Sequence, residues 1–145
     1  MKKRMVLAVG ILLLACLAVL LAGSRSSLGG IRRFVLSHRT ELEELAVACP
    51  SGGEIPERYK GVRVEGVFPG ETPIVQFSTV GFGLVPSAAY WGFYYSENGQ
   101  PAAYQNVDME LVPVSQEEWT WTDGTDNGGV TRRIDGHWFS YKAWF

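Results

Sequence analysis

The chain opens on an unbroken apolar run: from Met5 to Ala22, eighteen residues carry no charge and no strongly polar side chain. At 1.5 Å of rise per residue that is roughly 27 Å of helix, close to the hydrocarbon core of about 30 Å. With Lys2, Lys3 and Arg4 before it, the pattern predicts a transmembrane signal anchor over residues 1–22 in contact with membrane lipid through residues 5–22. Residues 23–30 then read as a Gly/Ser-rich linker. Over residues 31–49 the apolar positions Ile31, Phe34, Val35, Leu42, Leu45 and Ala46 recur at close to 3.6 residues, which predicts a short amphipathic helix with one face for burial. Thr40 and Glu43 have capping-box spacing, so a break near Ser37 and a restart at Thr40 are expected. Pro50, Gly52 and Gly53 end the helix.

From Gly53 onward the period changes to two. Runs at 62–68, 74–79, 90–96, 102–107, 118–122, 131–134 and 137–144 alternate or carry β-branched and aromatic residues, separated by Gly, Pro, Asn and Asp. Asn98-Gly99 and Asp135-Gly136 suit the positive-φ positions of tight hairpins, the first joining 90–96 to 102–107. The expected fold class is α+β: a transmembrane helix, an amphipathic helix, then a mostly antiparallel β domain of six to seven strands over residues 50–145.

Charge narrows the partners. The net charge is −2, and setting aside the basic cluster at residues 2–4 leaves about −5 on the rest, the wrong sign for nucleic-acid phosphates. The address implied is the cytoplasmic membrane, single-pass, with the β domain outside, or secretion after cleavage near Ser24. Leu13-Leu14-Ala15-Cys16 has the form of a lipobox, but six apolar residues follow Cys16. A cysteine inside a membrane segment cannot pair with Cys49 in one molecule, so no disulfide is expected.

All five tryptophans fall at or after position 91. Alternation places Trp119 and Trp121 on one face of their strand, and sets Tyr141 opposite to Trp138 and Trp144 on theirs. A row of exposed rings is what stacking on sugars requires, so Trp119, Trp121, Trp138, Tyr141 and Trp144 are the candidate ligand-binding residues; the alternative is that these rings are core. The loop Thr122 to Gly129 offers Asp123, Asp126 and Asn127 as weak oxygen ligands for a hard cation, against the simpler reading as a turn. No cofactor is expected. Catalysis would have to rest on His137, Asp123 or Asp126, or on Cys49 with His137, and no flanking motif supports it.

The runs Glu57 to Val62, Gly92 to Ser96, Trp119 to Gly124 and Thr131 to Ile134 resemble small uncharacterised single-pass membrane proteins of Gram-positive bacteria. That resemblance implies a bacterial membrane and carries no activity or site. The functional expectation is a membrane-tethered extracytoplasmic binding or interaction domain, with a cell-wall or carbohydrate-binding module or a surface hydrolase as alternatives, and a glycan or a protein as partner.

Overall fold

The structure is a computed structural model that describes residues 10–16, 27–84 and 87–145. Helix α1 (Leu28–Ser37) begins at Ser27, whose hydroxyl accepts from the N–H of Gly30 at 3.1 Å, a cap strong enough to draw Gly29 and Gly30 into the first turn. It ends at His38, where φ of −125° leaves the helical region and ring Nδ1 donates to the Phe34 carbonyl at 2.9 Å. Helix α2 (Arg39–Ala48) follows at once. Thr40 is therefore not a cap, and Glu43 pairs with Arg39 one turn back at 3.4 Å. Arg39 also binds Asp135, tying α2 to the end of a strand.

Eight strands form one antiparallel sheet: β1 (Arg58–Tyr59), β2 (Val62–Phe68), β3 (Ile74–Leu84), β4 (Ser87–Ser96), β5 (Val112–Ser115), β6 (Glu118–Thr122), β7 (Gly128–Asp135) and β8 (Trp138–Trp144). The order is β1-β2-β3-β4-β8-β7-β6-β5. Two four-stranded meanders thus meet edge to edge, and β4 against β8 is the seam. Residues 97–111 cross between them.

Each side of the seam buries a separate core. On the helix side Ile31, Val35, Leu42 and Ala46 pack on Val75, Phe77, Phe93 and Trp138. On the far side Ile74, Tyr94, Phe139 and Tyr141 lie beneath Ala102 and Tyr104 of the crossover, and Trp121 and Ala143 lie beneath Ala103, Met109 and Leu111. Gly92 sits where the Tyr141 phenol crosses β4 to reach the Phe77 carbonyl at 3.3 Å; a Cβ there would stand 2.6 Å from the hydroxyl and 2.0 Å from that carbonyl oxygen.

Three expectations are corrected. A transmembrane helix was expected over residues 5–22, yet among the described residues no helix is long and apolar enough to cross a membrane. The helical segment there is residues 10–16, and the rest of that stretch lies outside the described residues. This removes the structural support for a membrane anchor, for lipid contact through residues 5–22 and for the single-pass address. Second, the sheet has eight strands rather than six or seven: the edge strands β1 and β5 are too short to show a period, and Pro113 interrupts the second of them. Third, residues 102–107 are not a strand. Gln105 and Asn106 have φ of 54° and 55°, and the Asn106 amide nitrogen lies 3.1 to 3.3 Å from the carbonyl oxygens of Phe68, Pro69 and Thr72. Asn98 likewise turns the crossover rather than a hairpin, accepting from Ser96 Oγ and Gln100 N at 2.9 Å. The expected β-rich character stands.

Besides the Asn106 contacts and the Gln105 N–H bond to Gln76 Oε1 at 2.9 Å, a buried hydroxyl fastens the crossover to the sheet. Tyr94 Oη accepts from the Ala102 N–H at 2.8 Å, donates to the Ala102 carbonyl at 3.1 Å and lies 2.7 Å from Thr131 Oγ1. Tyr94→Phe keeps the ring but strands the Ala102 N–H and carbonyl, while Thr131 retains the Ser140 carbonyl, so it is expected to cost about 1–3 kcal/mol, read as a lowered urea midpoint with an unchanged slope.

Candidate functional site

The sheet is wider than its helices. On the helix side, Phe93 is covered by the helix layer, and Trp91 lies two residues along on the same face. Directly opposite Trp91 stands Lys142, and the row continues through Val130 and Thr120 to Val112 on the edge strand. The neighbouring row runs Phe93, Ser140, Arg132, Glu118, and the one beyond runs Ala89, Trp144, Gly128, Thr122. Away from Phe93 and Ser140 these positions are half-buried or exposed apart from Gly128, so among the described residues no element covers the β6–β7–β8 half of this face.

At its centre the Lys142 ammonium lies 5.4 Å from the ring centre of Trp91 and 5.7 Å from that of Trp144. A cation over an indole face is held by the ring quadrupole, and here one lysine serves two rings. Arg132 in the next row is paired through Nε with Glu118, its side chain 40% exposed. Trp91, Val130, Arg132, Lys142 and Trp144 line a groove of about 460 Å³ that runs to the first residues of α1. The indoles supply flat apolar surface and the two cations supply donors, an arrangement suited to holding a flat polar ligand rather than to moving protons.

The residues chosen from sequence are divided by the sheet. Trp138 and Tyr141 are buried on opposite sides, and Trp121 is 5% exposed, lying over Gly129 so closely that a Cβ there would meet its ring nitrogen at 2.4 Å. Trp119 is half-buried, edge-on to Phe139 and beneath the Arg133 guanidinium. Trp144 alone of the five belongs to the open half-face. Trp91 and Lys142 were missed, because the pairing that brings them together joins strands nearly fifty residues apart.

The acidic loop is a self-contained turn. Asp123 Oδ1 accepts from the Thr125 N–H at 2.9 Å and from its hydroxyl, and Oδ2 accepts from Asn127 Nδ2 at 2.8 Å. Asp126 is exposed. Among the described residues no group of three or more His, Cys, Asp or Glu is placed to hold a metal. The candidate catalytic groups are engaged structurally: His137 Nδ1 donates to the Ser96 carbonyl at 3.0 Å, and Cys49 is buried, its thiol pKa pushed up by that burial. No family model, curated protein or solved structure matches the chain.

Two titrations follow from these environments. The hydrogen bonds from Thr125 and then Asn127 hold the Asp123 carboxyl below 3.8. A depressed carboxyl stabilises the fold only while ionised, so its contribution is complete above pH 3.8 and fades as pH falls through the lower folded value. Asn127→Ala is expected to move the Asp123 midpoint back toward 3.8, followed by carboxyl carbon NMR. Burial first, and Glu65 second, push Tyr104 up to about 12, while burial also raises Tyr94, Tyr95 and Tyr141. A raised phenol costs nothing below its unfolded value of 10.0 and destabilises the fold as pH climbs beyond it. Absorbance at the tyrosinate band should therefore show these four titrating late, with stability level below pH 10 and falling from there toward 12.

Proposed function

We propose that the protein is a binding domain whose contact surface is the open half of the helix-side sheet face, and that its ligand is a glycan lying along the rows of Trp91 and Trp144. The observation that carries this is the pair of half-exposed indoles with Lys142 between them. Pyranose rings present C–H faces that pack on π surfaces and hydroxyls that accept from nearby cations, and the groove offers both kinds of partner in one place. Binding, rather than turnover, accords with the engagement of His137 and Cys49 in structure.

Trp91→Ala and Trp144→Ala in the full chain are each expected to weaken glycan binding about tenfold, a loss of about 1.4 kcal/mol, by calorimetric titration against neutral and acidic oligosaccharides. Circular dichroism should remain that of the folded protein. Trp119→Ala, on the opposite face, should leave affinity unchanged. Full affinity in both the Trp91 and Trp144 variants would overturn the reading.

One observation favours a protein partner instead: Val112 ends the Trp91 row, and both it and Val114 on the edge strand are more than half exposed. Aromatic and Arg side chains with an apolar border also make interface hot spots. Under that reading Val112→Lys breaks a complex, whereas glycan binding at the indoles survives it.

A further inference from the structure

Resting on the glycan reading above, we propose that the open face selects a glycan bearing a carboxylate on its sugar ring, a uronic-acid polymer, with Lys142 as the residue that recognises the charge. The groove between Trp91 and Trp144 is lined by two cations, Arg132 and Lys142, and by no carboxylate. Glu118 answers Arg132, while Lys142 is exposed and makes no ion pair among the described residues. The local charge is therefore positive on a chain whose net charge is −2. The larger cavity beneath the crossover has the opposite character, with Glu71 and Asp108 on its wall. An anionic ligand is thus drawn to one groove and turned away from the other.

Reach decides which anion. The ammonium lies over both indoles, 5.4 and 5.7 Å from their centres, so a sugar stacking on either ring moves it aside, and its tether between the two rings keeps it at the rim of that sugar. A carboxylate attached to the ring reaches that position, whereas a phosphate linking one sugar to the next lies off the stacked ring. The lysine also covers the rings in the free protein. A neutral sugar must displace it and give it nothing in return; a uronate exchanges the cation–π contact for a charge-assisted hydrogen bond. Lys142 therefore acts on neutral and acidic sugars in opposite directions.

The test uses the full chain and oligogalacturonate in two forms, with its carboxylates free or methyl-esterified, so that ring shape is kept and charge removed. Wild type is expected to bind the free acid at least tenfold more tightly than the ester, and to lose most of that margin as salt rises from about 0.05 to about 0.5 M. Lys142→Ala should bind the acid about tenfold more weakly and the ester equally or more tightly. Equal binding of acid and ester by wild type, or an unchanged margin in Lys142→Ala, would overturn the inference while leaving a glycan site intact if the Trp91 and Trp144 variants still lose affinity. Tighter binding of poly(glycerol phosphate) than of oligogalacturonate would overturn the ring-borne carboxylate. Binding of neither form would overturn it as well, and indifference of every glycan to the Trp91 and Trp144 variants would take the parent reading with it.

Discussion

Everything in this molecule hangs on the pairing of β4 with β8. Each four-stranded meander is a local structure, with neighbours in sequence lying side by side, and the helix-side core draws mainly on the first of them, with Val62, Val64, Val75, Phe77 and Phe93 under the helices. The seam adds Trp138 to that core and brings Tyr94 against Phe139 and Tyr141 on the other side. Facing outward on the helix side, Phe93 and Trp138 lie 5.9 Å apart and receive α1 and α2. On the other side Tyr94 and Phe139 stack at 5.2 Å and receive the crossover. Because side chains alternate, a one-residue slip of this register would exchange the two sets and put Trp138 under the crossover and Phe139 under the helices. The Tyr94 clamp on Ala102 and Thr131 and the Tyr141 passage over Gly92 hold the register against that slip, since both need their partners at one position only.

The same seam explains what could be read from the sequence. Elements whose signal is local were legible: the apolar stripe of Ile31, Val35, Leu42 and Ala46 does face the core, the Asp135-Gly136 turn does join two strands, and the facial separation of Tyr141 from Trp138 and Trp144 follows from period two alone. What failed was information carried by long-range pairing. Residues 102–107 have a strand-like composition, but Asn106 finds three carbonyl oxygens on the β2–β3 turn, and that net of hydrogen bonds outweighs the weak propensity of Tyr104 and Val107. The exposed row of aromatics was misplaced for a related reason. Alternation tells which rings share a face and is silent on which face is covered, and coverage is set by where the two helices and the crossover fall.

Coverage is in turn a matter of size. Eight strands about 4.8 Å apart span roughly 34 Å, while two helices about 10 Å in diameter reach across roughly 20 Å, each with about 15 Å of length. The far side is closed because the crossover, fifteen residues long, is spread over it. On the helix side no comparable segment among the described residues extends past α1, and Trp91 stands at the boundary, packed against the core at one edge and against Lys142 at the other.

An open sheet face beside an edge strand is a hazard, since such surfaces invite pairing with other chains. The residues there answer it. Pro113 removes a backbone donor from β5, the edge strand has four residues, and Lys142, Arg132 and Glu118 place charge among the apolar positions. These charges do not make the face inert. A lysine resting on two indoles puts a charge where another apolar surface would otherwise pack. On the proposed glycan reading the same side chain would also admit the ligand, because an anion that satisfied the ammonium would uncover both rings at once. Under that reading one residue serves both protection and recognition, which gives a reason for a cation at the centre of the row, where a hydrophobic residue would have packed better.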